Sequence, residues 1–309
     1  MKYNHIAIVG VGLIGGSFAL AARRAGLAER ITGWDRDDVL AKALKSGAID
    51  AIEDSFASGR PSEADLVYLA APVGQITEFV RNNGRLLKPG SIVTDAGSSK
   101  REICRVAIEH LPGEVHFVGG HPMAGSHNSG FEFATPDLFI GAPYAIVPLG
   151  VPAPFGRMAL FGRIPSGGQS LDAAKEVAQI ATALGSRPIF LTAEEHDAAV
   201  ALASHTPQLL ATALAITAAE SETQKHLVEL AGPGFSDIIR LAASRWSVWE
   251  GICRTNHDQI ETALDMLGRT IERMRNALKD SDFTSLGREF DRANDFTERF
   301  QTTRGVLKN

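Results

Sequence analysis

The chain has 309 residues, of which 44% are hydrophobic and 22% are charged, and its formal net charge is −5. This length exceeds what one hydrophobic core normally organises, so two domains are expected, and the negative charge argues against nucleic acid as a partner. The composition is typical of a soluble globular enzyme. No apolar run is expected to approach the length of a bilayer span, which argues against a membrane partner.

Two further features favour a cytoplasmic protein. The two cysteines, Cys104 and Cys253, have a spacing that fits neither a metal site nor a disulfide pattern. A reducing compartment is therefore expected. The chain also enters a strand-like segment within a few residues of Met1, which leaves no room for a signal peptide.

A glycine-rich loop follows the first predicted strand. Residues 6–9 are a short apolar run typical of a buried parallel strand, and a helical pattern covers residues 18–25. A GxGxxG motif between a strand and a helix is the context of a dinucleotide-binding site. We expect the pyrophosphate of NAD at the helix N-terminus, with five loop residues as cofactor contacts: Gly10, Gly12, Leu13, Ile14 and Gly15. A glycine-rich turn without a nucleotide is the alternative.

The second predicted strand, residues 30–34, ends at Asp35, about 20 residues after the glycine loop. A carboxylate at this position would hold the ribose hydroxyls and repel the additional phosphate of NADP, so NAD is the expected cofactor. Arg36 follows directly and could pair with that phosphate, which leaves a minority use of NADP open.

Further strands alternate with helical segments, as in an α/β Rossmann-type domain. The predicted strands cover residues 65–70, 91–95, 114–118, 143–148 and 187–191. Ser98 lies among small residues after one of these strands and is a candidate polar contact at the substrate. A cap on the helix that starts near Lys100 is the alternative role for Ser98.

Residues 118–126 place one histidine between glycines and a proline, in the order Val-Gly-Gly-His-Pro-Met-Ala-Gly-Ser. Gly119 and Gly120 would let the backbone approach a ligand, and Pro122 would stiffen the turn. We therefore expect His121 on a stiff loop at a strand end, where an open α/β sheet has its chemistry. Beside NAD, such a histidine would accept the proton of a hydroxyl whose carbon loses hydride. A histidine that merely bonds a backbone carbonyl is the alternative.

The predicted domain boundary lies between residues 191 and 192. Residues 1–191 form the predicted NAD-binding domain, and residues 192–309 form an all-α domain that a capping box at Thr192 and Glu195 opens. Residues 149–169 combine prolines and glycines with apolar residues, which predicts an ordered excursion or flap instead of a flexible tether. Many apolar positions on the closing helices predict packing against a second subunit, and hence a homodimer.

Three polar side chains of the helical half are candidate substrate contacts. His205 and Gln208 flank Pro207, which would kink or break the helix, so both side chains could face one cavity. A polar pair bonded to backbone is the alternative. Arg240 is a candidate anion clamp, because guanidinium binds a carboxylate in a planar fork, and an ion pair with Asp237 is its alternative.

Taken together, these motifs resemble those of the prephenate/arogenate dehydrogenases of tyrosine biosynthesis. The matching segments are the glycine loop, residues 95–100 (Asp-Ala-Gly-Ser-Ser-Lys), 120–125 (Gly-His-Pro-Met-Ala-Gly), 196–197 (His-Asp), 204–207 (Ser-His-Thr-Pro) and 232–240 (Gly-Pro-Gly-Phe…Asp…Arg). The resemblance covers nearly the whole chain. It implies an N-terminal Rossmann domain, a helical C-terminal dimerisation domain and the NAD(P)-dependent oxidative decarboxylation of a cyclohexadienol.

The resemblance also implies roles for single residues. His121 corresponds to the base for the ring C4 hydroxyl, Ser98 to the serine beside that hydroxyl, and Arg240 to the arginine that grips a substrate carboxylate. His205 lies at the family's Ser-His position in the cleft. Some members have a second histidine where this chain has Gln208, near the substrate side chain, so prephenate and arogenate both stay open as substrates. No metal-ligand spacing appears, and no metal is expected.

Two other functions remain as alternatives. A β-hydroxyacid dehydrogenase would use a helix lysine as its acid and base, but no lysine occurs between Lys175 and Lys225. A non-catalytic NAD-binding regulator could share the fold, although it would not need His121, Ser98 and Arg240 together.

Overall fold

The computed structural model describes residues 2–125, 129–149 and 169–306. The predicted excursion at residues 149–169 therefore lies, apart from its two end residues, outside the described part of the chain, as does Ser126 of the histidine motif.

Within the described residues, eight strands form one sheet. The strands are β1 (Tyr3–Val9), β2 (Ala28–Trp34), β3 (Ala51–Ile52), β4 (Leu66–Leu69), β5 (Ile92–Asp95), β6 (His116–Pro122), β7 (Pro143–Pro148) and β8 (Arg187–Phe190). Their order across the sheet is β3-β2-β1-β4-β5-β6-β7-β8. Neighbours pair in parallel except β6 and β7, which pair antiparallel. The predicted Rossmann-type fold is confirmed, and the two-residue strand β3 is the one that the sequence pattern did not predict.

Helices connect the strands, and after β8 all the described elements are helical. They are α1 (Leu13–Arg24), α2 (Asp37–Lys45), α3 (Ser55–Ser58), α4 (Val73–Asn83), α5 (Arg101–His110), α6 (Gln169–Ala183), α7 (Ala193–Val200), α8 (Thr206–Ala219), α9 (Gln224–Leu230), α10 (Pro233–Ile239), α11 (Trp246–Lys279) and α12 (Phe283–Val306). One π-helical turn, Ala201–His205, joins α7 to α8, and a 3₁₀ turn, Arg240–Ala243, follows α10.

Both faces of the sheet are buried, as its apolar strands predict. On β1, Ile6 and Ile8 belong to one hydrophobic cluster, whereas Ala7 and Val9 belong to the other. Successive side chains of a strand point to opposite faces, so the two clusters are the cores on the two sides of the sheet. Parallel pairing brings the carboxyl ends of β1, β4 and β5 to the same edge of the sheet.

The histidine motif is a strand and not the predicted stiff loop. β6 continues through Gly119, Gly120, His121 and Pro122, and His121 pairs with Ala145 of β7. The glycines also have a different reason from the predicted approach of a ligand. A Cβ atom on Gly120 would lie 2.5 Å from the backbone oxygen of Asp95, and one on Gly119 would lie 3.1 Å from the Cβ atom of Val147. The two glycines therefore make room for the neighbouring strands.

The predicted helical segment after Thr192 is present, and its start is confirmed in detail. The hydroxyl of Thr192 accepts a hydrogen bond from the backbone nitrogen of Glu195, whose carboxylate accepts one from the backbone of Thr192. Pro207 lies in the first turn of α8, where proline is tolerated, so the helical path continues through the π turn. By length and composition, Ala193–Ala219 could cross a membrane, with a mean hydropathy of 1.3. The expectation that no segment reaches this length was therefore wrong, although core helices of soluble proteins pass the same test.

By internal packing the chain divides into two units, Met1–His257 and Asp258–Asn309. The division lies inside α11, where Asn256 has the non-helical angles φ −132° and ψ 23°. The first unit contains the whole sheet and the helices up to the start of α11. The second contains the rest of α11 and α12. A functional boundary between residues 191 and 192 stays a prediction.

Candidate active site

The glycine loop after β1 is shaped by the backbone around it. Gly10 has φ +87°, a region that favours glycine, and a Cβ atom there would lie 2.5 Å from the backbone oxygen of Ala70. A Cβ atom on Gly15 would lie 1.9 Å from the backbone oxygen of Gly10, so only glycine lets α1 pack this closely. At Gly12, in contrast, no atom of the described residues, its neighbours in the chain apart, lies within 4 Å of the Cβ position. The loop is thus tight on its protein side and open where a ligand would approach.

The open side of the loop faces the N-terminus of α1. This helix begins at Leu13, and no side chain caps it among the described residues. The first backbone amides of a helix, here those of Leu13 and Ile14, have no partner within the helix and carry the positive end of its dipole. Loop and helix therefore fit a pyrophosphate group.

Asp35 closes the other side of this cleft. One of its carboxylate oxygens accepts a hydrogen bond from the backbone nitrogen of Val11 at 2.6 Å, and the other accepts one from the backbone nitrogen of Arg36 at 2.7 Å. The carboxylate is thereby fixed against the glycine loop. A cavity of about 600 Å³ opens beside it, lined by Gly10, Gly12, Trp34, Asp35, Arg36 and Glu78 among others. Arg36 itself is exposed and lies 3.6 Å from Asp38. A carboxylate at this position can accept hydrogen bonds from a free ribose 2′-hydroxyl, so the cleft fits a dinucleotide without a 2′-phosphate.

His121 lies in β6, at the sheet edge where β5 ends at Asp95. Its imidazole is partly buried, and Nδ1 lies 2.9 Å from Nε2 of His196 in α7. Burial, and then the nearby His196, Lys100 and His205, place the pKa of His121 well below its ordinary value. The imidazole is therefore neutral near pH 7 and able to accept a proton. The alternative role, a bond from this ring to a backbone carbonyl, does not occur among the described residues.

His196 and its neighbour Asp197 are almost completely inaccessible, with 1% and 0% of their surface exposed. The Nδ1 atom of His196 lies 2.8 Å from the carboxylate of Asp197. Burial lowers the pKa of His196, although the hydrogen bond to Asp197 opposes this shift. Burial would raise the pKa of Asp197, but hydrogen bonds from His196, Arg101 and Lys100 outweigh it and hold that pKa below its ordinary value. His196 is therefore neutral and Asp197 is ionised.

A buried charge pair lies at the end of β5, beside the two histidines. Lys100 and Asp95 are fully buried, and the Lys100 ammonium donates to Asp95. The Asp95 carboxylate also accepts hydrogen bonds from the backbone nitrogens of Gly97, at 2.8 Å, and Gly120, at 3.0 Å. A buried charge pair of this kind is tolerable because its hydrogen-bonding capacity is satisfied. Asp95 therefore ties the end of β5 to the residue before His121.

Ser98 lies on the turn between β5 and α5 and is partly exposed. The residue at the N-terminus of α5 is Lys100, and no side chain of this turn caps the helix. The alternative role of Ser98 as a helix cap is therefore wrong. Its role at the substrate hydroxyl stays a prediction.

His205 ends the π turn and is 1% exposed. Its Nδ1 atom lies 3.3 Å from Nδ2 of Asn256, and its ring meets Trp249 edge-on at 5.8 Å between centroids. Burial lowers the pKa of His205 to about 4. Because a charge on His205 also affects His121, the structure brings these two predicted residues into one electrostatic neighbourhood.

Gln208 and Arg240 are linked through the backbone. The amide nitrogen of Gln208 donates to the carbonyl oxygen of Leu241 at 2.8 Å, so the interpretation of Gln208 as a side chain bonded to backbone is the one that its contacts support. Arg240 is exposed and, within the described residues, forms no ion pair with Asp237 or another acid. The alternative role of Arg240 in a local ion pair is therefore wrong, and its role as an anion clamp stays a prediction.

The 196–197 motif and residues 95–100 belong to the family resemblance, but the sequence indicates no role for His196, Asp197, Asp95 or Lys100. A signal was present, because the capping box at Thr192 fixes the start of α7 and so puts the His-Asp pair on its second turn. What the sequence did not indicate is their burial against β6. No group of three or more His, Cys, Asp and Glu side chains could hold a metal within the described residues, and the absence of a metal from the reaction stays a prediction.

Two family models match the chain. The nucleotide-binding domain of prephenate dehydrogenase matches residues 18–153, and the dimerization domain of prephenate dehydrogenase matches residues 192–292. The matched regions together cover more than half of the chain.

Individual relatives agree with the family models. A prephenate dehydrogenase of Bacillus subtilis is 34% identical over 300 residues, which are 95% of this chain and 75% of the relative. A cyclohexadienyl dehydrogenase of Zymomonas mobilis is 28% identical over 91% of this chain and 90% of its own length. The crystal structure of prephenate dehydrogenase from A. aeolicus, in complex with hydroxyphenyl propionate and NAD+, has a TM-score of 0.84 at 26% identity and covers 97% of this chain and 99% of its own. With a nucleotide-type cleft, a buried histidine pair and these matches over most of its length, the chain belongs to the prephenate dehydrogenase family.

Proposed function

We propose that this chain converts prephenate to 4-hydroxyphenylpyruvate and carbon dioxide, with hydride transferred to NAD+ and His121 as the base. The observation that carries the proposal is the neutral imidazole of His121, held 2.9 Å from the buried His196 at the sheet edge that also holds the glycine loop. Membership of the prephenate dehydrogenase family supplies the class of substrate.

The chemistry requires one group that accepts a proton and returns it. NAD+, which the glycine loop and Asp35 would hold, would supply the acceptor for the hydride of ring carbon C4. His121 takes the proton of the C4 hydroxyl as the carbon–oxygen double bond forms. The bond between C1 and the ring carboxylate then breaks, its electron pair completes the aromatic ring, and carbon dioxide leaves. The oxygen regains its proton from His121, so the product is a neutral phenol and the base is regenerated.

The remaining residues orient the substrate. Arg240 is exposed and has no acidic partner among the described residues, which suits a guanidinium that binds a substrate carboxylate. Ser98 is assigned to the C4 hydroxyl beside His121, and His205 to the wall of the cleft. Orientation of this kind contributes to the rate because the reacting atoms are held in a productive geometry before the bonds change.

NAD+ is preferred over NADP+ in this proposal. Asp35 and Glu78 both line the cavity beside the glycine loop, and two carboxylates there repel an additional phosphate. Arg36 is the group that could pair with that phosphate, but it lies near Asp38 on the surface. NADP+ is therefore a minor cofactor.

Arogenate is the second candidate substrate, used instead of or beside prephenate. The observation that favours it is that the relative from Zymomonas mobilis is named a cyclohexadienyl dehydrogenase and not a prephenate dehydrogenase. Gln208 bears on the choice. Its amide nitrogen donates to the carbonyl oxygen of Leu241 at 2.8 Å and lies 3.5 Å from the hydroxyl of Thr212, so its carbonyl oxygen is the atom left to accept from an amino group.

The protein is further proposed to be a cytoplasmic homodimer. In the unit that ends at His257, apolar side chains exposed on the helices include Leu210, Ile216, Leu230 and Trp246. In the other unit they include Ile271, Phe283, Phe290 and Phe296. Large exposed apolar side chains in such number are typical of surfaces that a partner subunit covers, and most of these residues lie in the region that matches the dimerization domain.

The decisive experiment measures NADH formation with the purified protein. Prephenate, arogenate and a simple 3-hydroxy acid are supplied in turn, each with NAD+ and with NADP+. We expect the highest kcat/KM for prephenate with NAD+. Activity with the 3-hydroxy acid alone would identify a β-hydroxyacid dehydrogenase, and no reduced cofactor from either cyclohexadienol would overturn the proposed function.

A further inference from the structure

We propose that His196 and Asp197 form a positioning pair for His121: together they fix its tautomer, so that Nε2 is the basic atom, and they stabilise the imidazolium that forms when the proton arrives. This inference rests on the proposed function for its catalytic meaning. Its structural part concerns only which nitrogen of His121 carries a proton, and it can be tested without substrate.

The geometry is a continuous chain of three side chains. Nδ1 of His121 lies 2.9 Å from Nε2 of His196, and Nδ1 of His196 lies 2.8 Å from the carboxylate of Asp197. The two rings meet at 63°, with centroids 5.1 Å apart. Solvent exposure decreases along these three side chains, from a partly exposed His121 to a fully buried Asp197. Only the first member can therefore reach a substrate.

The positions of the protons follow from the acceptor at the buried end. An ionised carboxylate only accepts hydrogen bonds, so Nδ1 of His196 must carry the proton. In a neutral imidazole the other nitrogen is then an acceptor, so Nε2 of His196 accepts a hydrogen bond from Nδ1 of His121. His121 is neutral as well, which leaves its lone pair on Nε2. These hydrogen bonds thus leave the basic nitrogen of His121, Nε2, on the side of the ring that faces away from His196.

Asp197 can perform this role because its own position is fixed. Its carboxylate accepts hydrogen bonds from the backbone nitrogen of Lys100 at 2.7 Å, the backbone nitrogen of Arg101 at 3.0 Å and Nε of Arg101 at 3.2 Å. These backbone nitrogens belong to the start of α5, whose dipole favours a negative charge there. The backbone oxygen of Asp197 also accepts a hydrogen bond from Nδ2 of Asn256 at 2.9 Å. Each of these contacts favours an ionised and immobile carboxylate.

The charges around the pair explain why a counter-ion is useful. His196 lies in the electrostatic field of three charged groups, Lys100, Asp95 and Asp197. The pKa of His121 is lowered by His196, Lys100 and His205. Lys100 and His205 oppose a positive charge on His121, whereas the ring of His196 links His121 to the carboxylate of Asp197. When His121 takes the proton on Nε2, its Nδ1–H donates more strongly to His196, and Asp197 balances the charge.

The test compares two substitutions at one position. His196→Phe removes both hydrogen bonds but keeps an aromatic ring. His196→Gln keeps a carbonyl oxygen that can accept from His121 and an amide group that can donate to Asp197. We expect His196→Phe to lower kcat roughly 10²-fold, the usual effect of a misplaced catalytic group, and His196→Gln to restore most of it. KM for prephenate and the affinity for NAD+ should change little, since neither residue is accessible.

The pH profile separates positioning from a purely structural role. Because His196 is neutral, it acts on His121 mainly as a hydrogen-bond acceptor and as its link to Asp197. In His196→Phe both are lost, so the imidazolium of His121 is less stable, its pKa falls and the acid limb of kcat/KM moves to lower pH. His116→Phe is the matched control, because His116 begins the same strand but contacts neither member of the pair. It should leave both kcat and the acid limb unchanged. A fall in kcat without any movement of the limb in His196→Phe would overturn the proposal.

The structural part is measured on unliganded protein labelled with ¹⁵N-histidine. Two-bond proton–nitrogen correlations report which ring nitrogen of His121 is protonated, and His121→Asn identifies its signals by their loss. We expect protonation on Nδ1 in the wild type and a loss of this preference in His196→Phe. Protonation on Nε2 in the wild type would overturn the inference even if His196→Phe fails to fold. If the wild type oxidises no cyclohexadienol, the proposed function fails, whereas the tautomer measurement stands by itself.

Discussion

The amide nitrogen of Gln208 in α8 donates a hydrogen bond to the carbonyl oxygen of Leu241, at a distance of 2.8 Å, and so ties this helix to the 3₁₀ turn that begins with Arg240. Gln208, which the sequence predicts as a substrate contact, therefore also holds the backbone of this turn. Because Arg240 precedes Leu241 directly, we expect loss of this hydrogen bond to shift the turn that carries the guanidinium of Arg240.

Gln208→Met removes the donor with little change in volume. A neutral hydrogen bond contributes about 1 kcal/mol, so we expect KM for prephenate and for arogenate to rise together by roughly fivefold, with kcat unchanged. Initial rates with both substrates at saturating NAD+ measure this, and Gln224→Met, at an exposed glutamine, is the control. A larger rise in KM for arogenate than for prephenate would instead show that the carbonyl oxygen of Gln208 accepts a hydrogen bond from the amino group of the substrate, as in the second candidate function.

His121→Asn tests the base directly. Asparagine keeps a polar side chain but does not take up a proton near neutral pH, so kcat should fall by roughly 10²- to 10⁴-fold, which is what a general base normally contributes. The affinity for NAD+, measured by titration calorimetry, should stay the same. His116→Asn on the same strand serves as the control. If His121→Asn turns over at close to the wild-type rate, the base is another group.

Arg240→Gln tests the anion clamp. A hydrogen bond to a charged group contributes about 1.5–3 kcal/mol, so KM for prephenate should rise roughly 10- to 100-fold. Because the carboxylate is bound in ground and transition states alike, kcat should change little. Arg245→Gln alters another exposed arginine five positions later and is the matched control. Should Arg245→Gln raise KM while Arg240→Gln does not, the clamp has been placed on the wrong arginine.

Local patterns predicted the fold well and the site in part. Apolar runs and glycine spacing predicted seven of the eight described strands and the tight glycine loop between β1 and α1, because each depends on neighbouring residues in the chain. The histidine motif was assigned to a loop, since Gly119 and Gly120 have a reason only in the adjacent strands. His196 and Asp197 received no role for a similar reason. Their partners His121 and Lys100 lie 75 and 97 positions away, and no local pattern indicates such a contact.

Asp35→Ser tests the preference for NAD+. Serine removes the charge that repels an additional phosphate and one acceptor for the ribose hydroxyls. We expect the ratio of kcat/KM for NADP+ to that for NAD+ to rise by roughly tenfold or more, the equivalent of a single charge-assisted contact. Steady-state rates with each cofactor give the ratio. Asp38→Ser, at an exposed acid three positions later, should leave it unchanged. An unaltered ratio in Asp35→Ser would place the discrimination elsewhere, with Glu78 the next candidate.

His205 makes the stability of the fold sensitive to acid. Burial lowers its pKa to about 4 in the folded protein, against an ordinary value of 6.5 in the unfolded chain. Between these two pKa values, His205 is protonated in the unfolded state but not in the folded state. The free energy of unfolding therefore decreases as the pH falls below about 6.5. For His205 alone this loss amounts to about 2 kcal/mol between pH 8 and pH 5. His121, His196 and His5, whose pKa values are also lowered, add to it.

His205→Gln isolates this contribution. Urea unfolding followed by circular dichroism at pH 8 and pH 5, at one protein concentration, gives the change in unfolding free energy for each variant. His205→Gln should lose about 2 kcal/mol less than the wild type between the two pH values, whatever its stability at pH 8. His226→Gln, at a side chain that is 71% exposed, should follow the wild type. Equal pH dependence in His205→Gln and the wild type would mean that His205 titrates normally and is therefore hydrated in the folded protein.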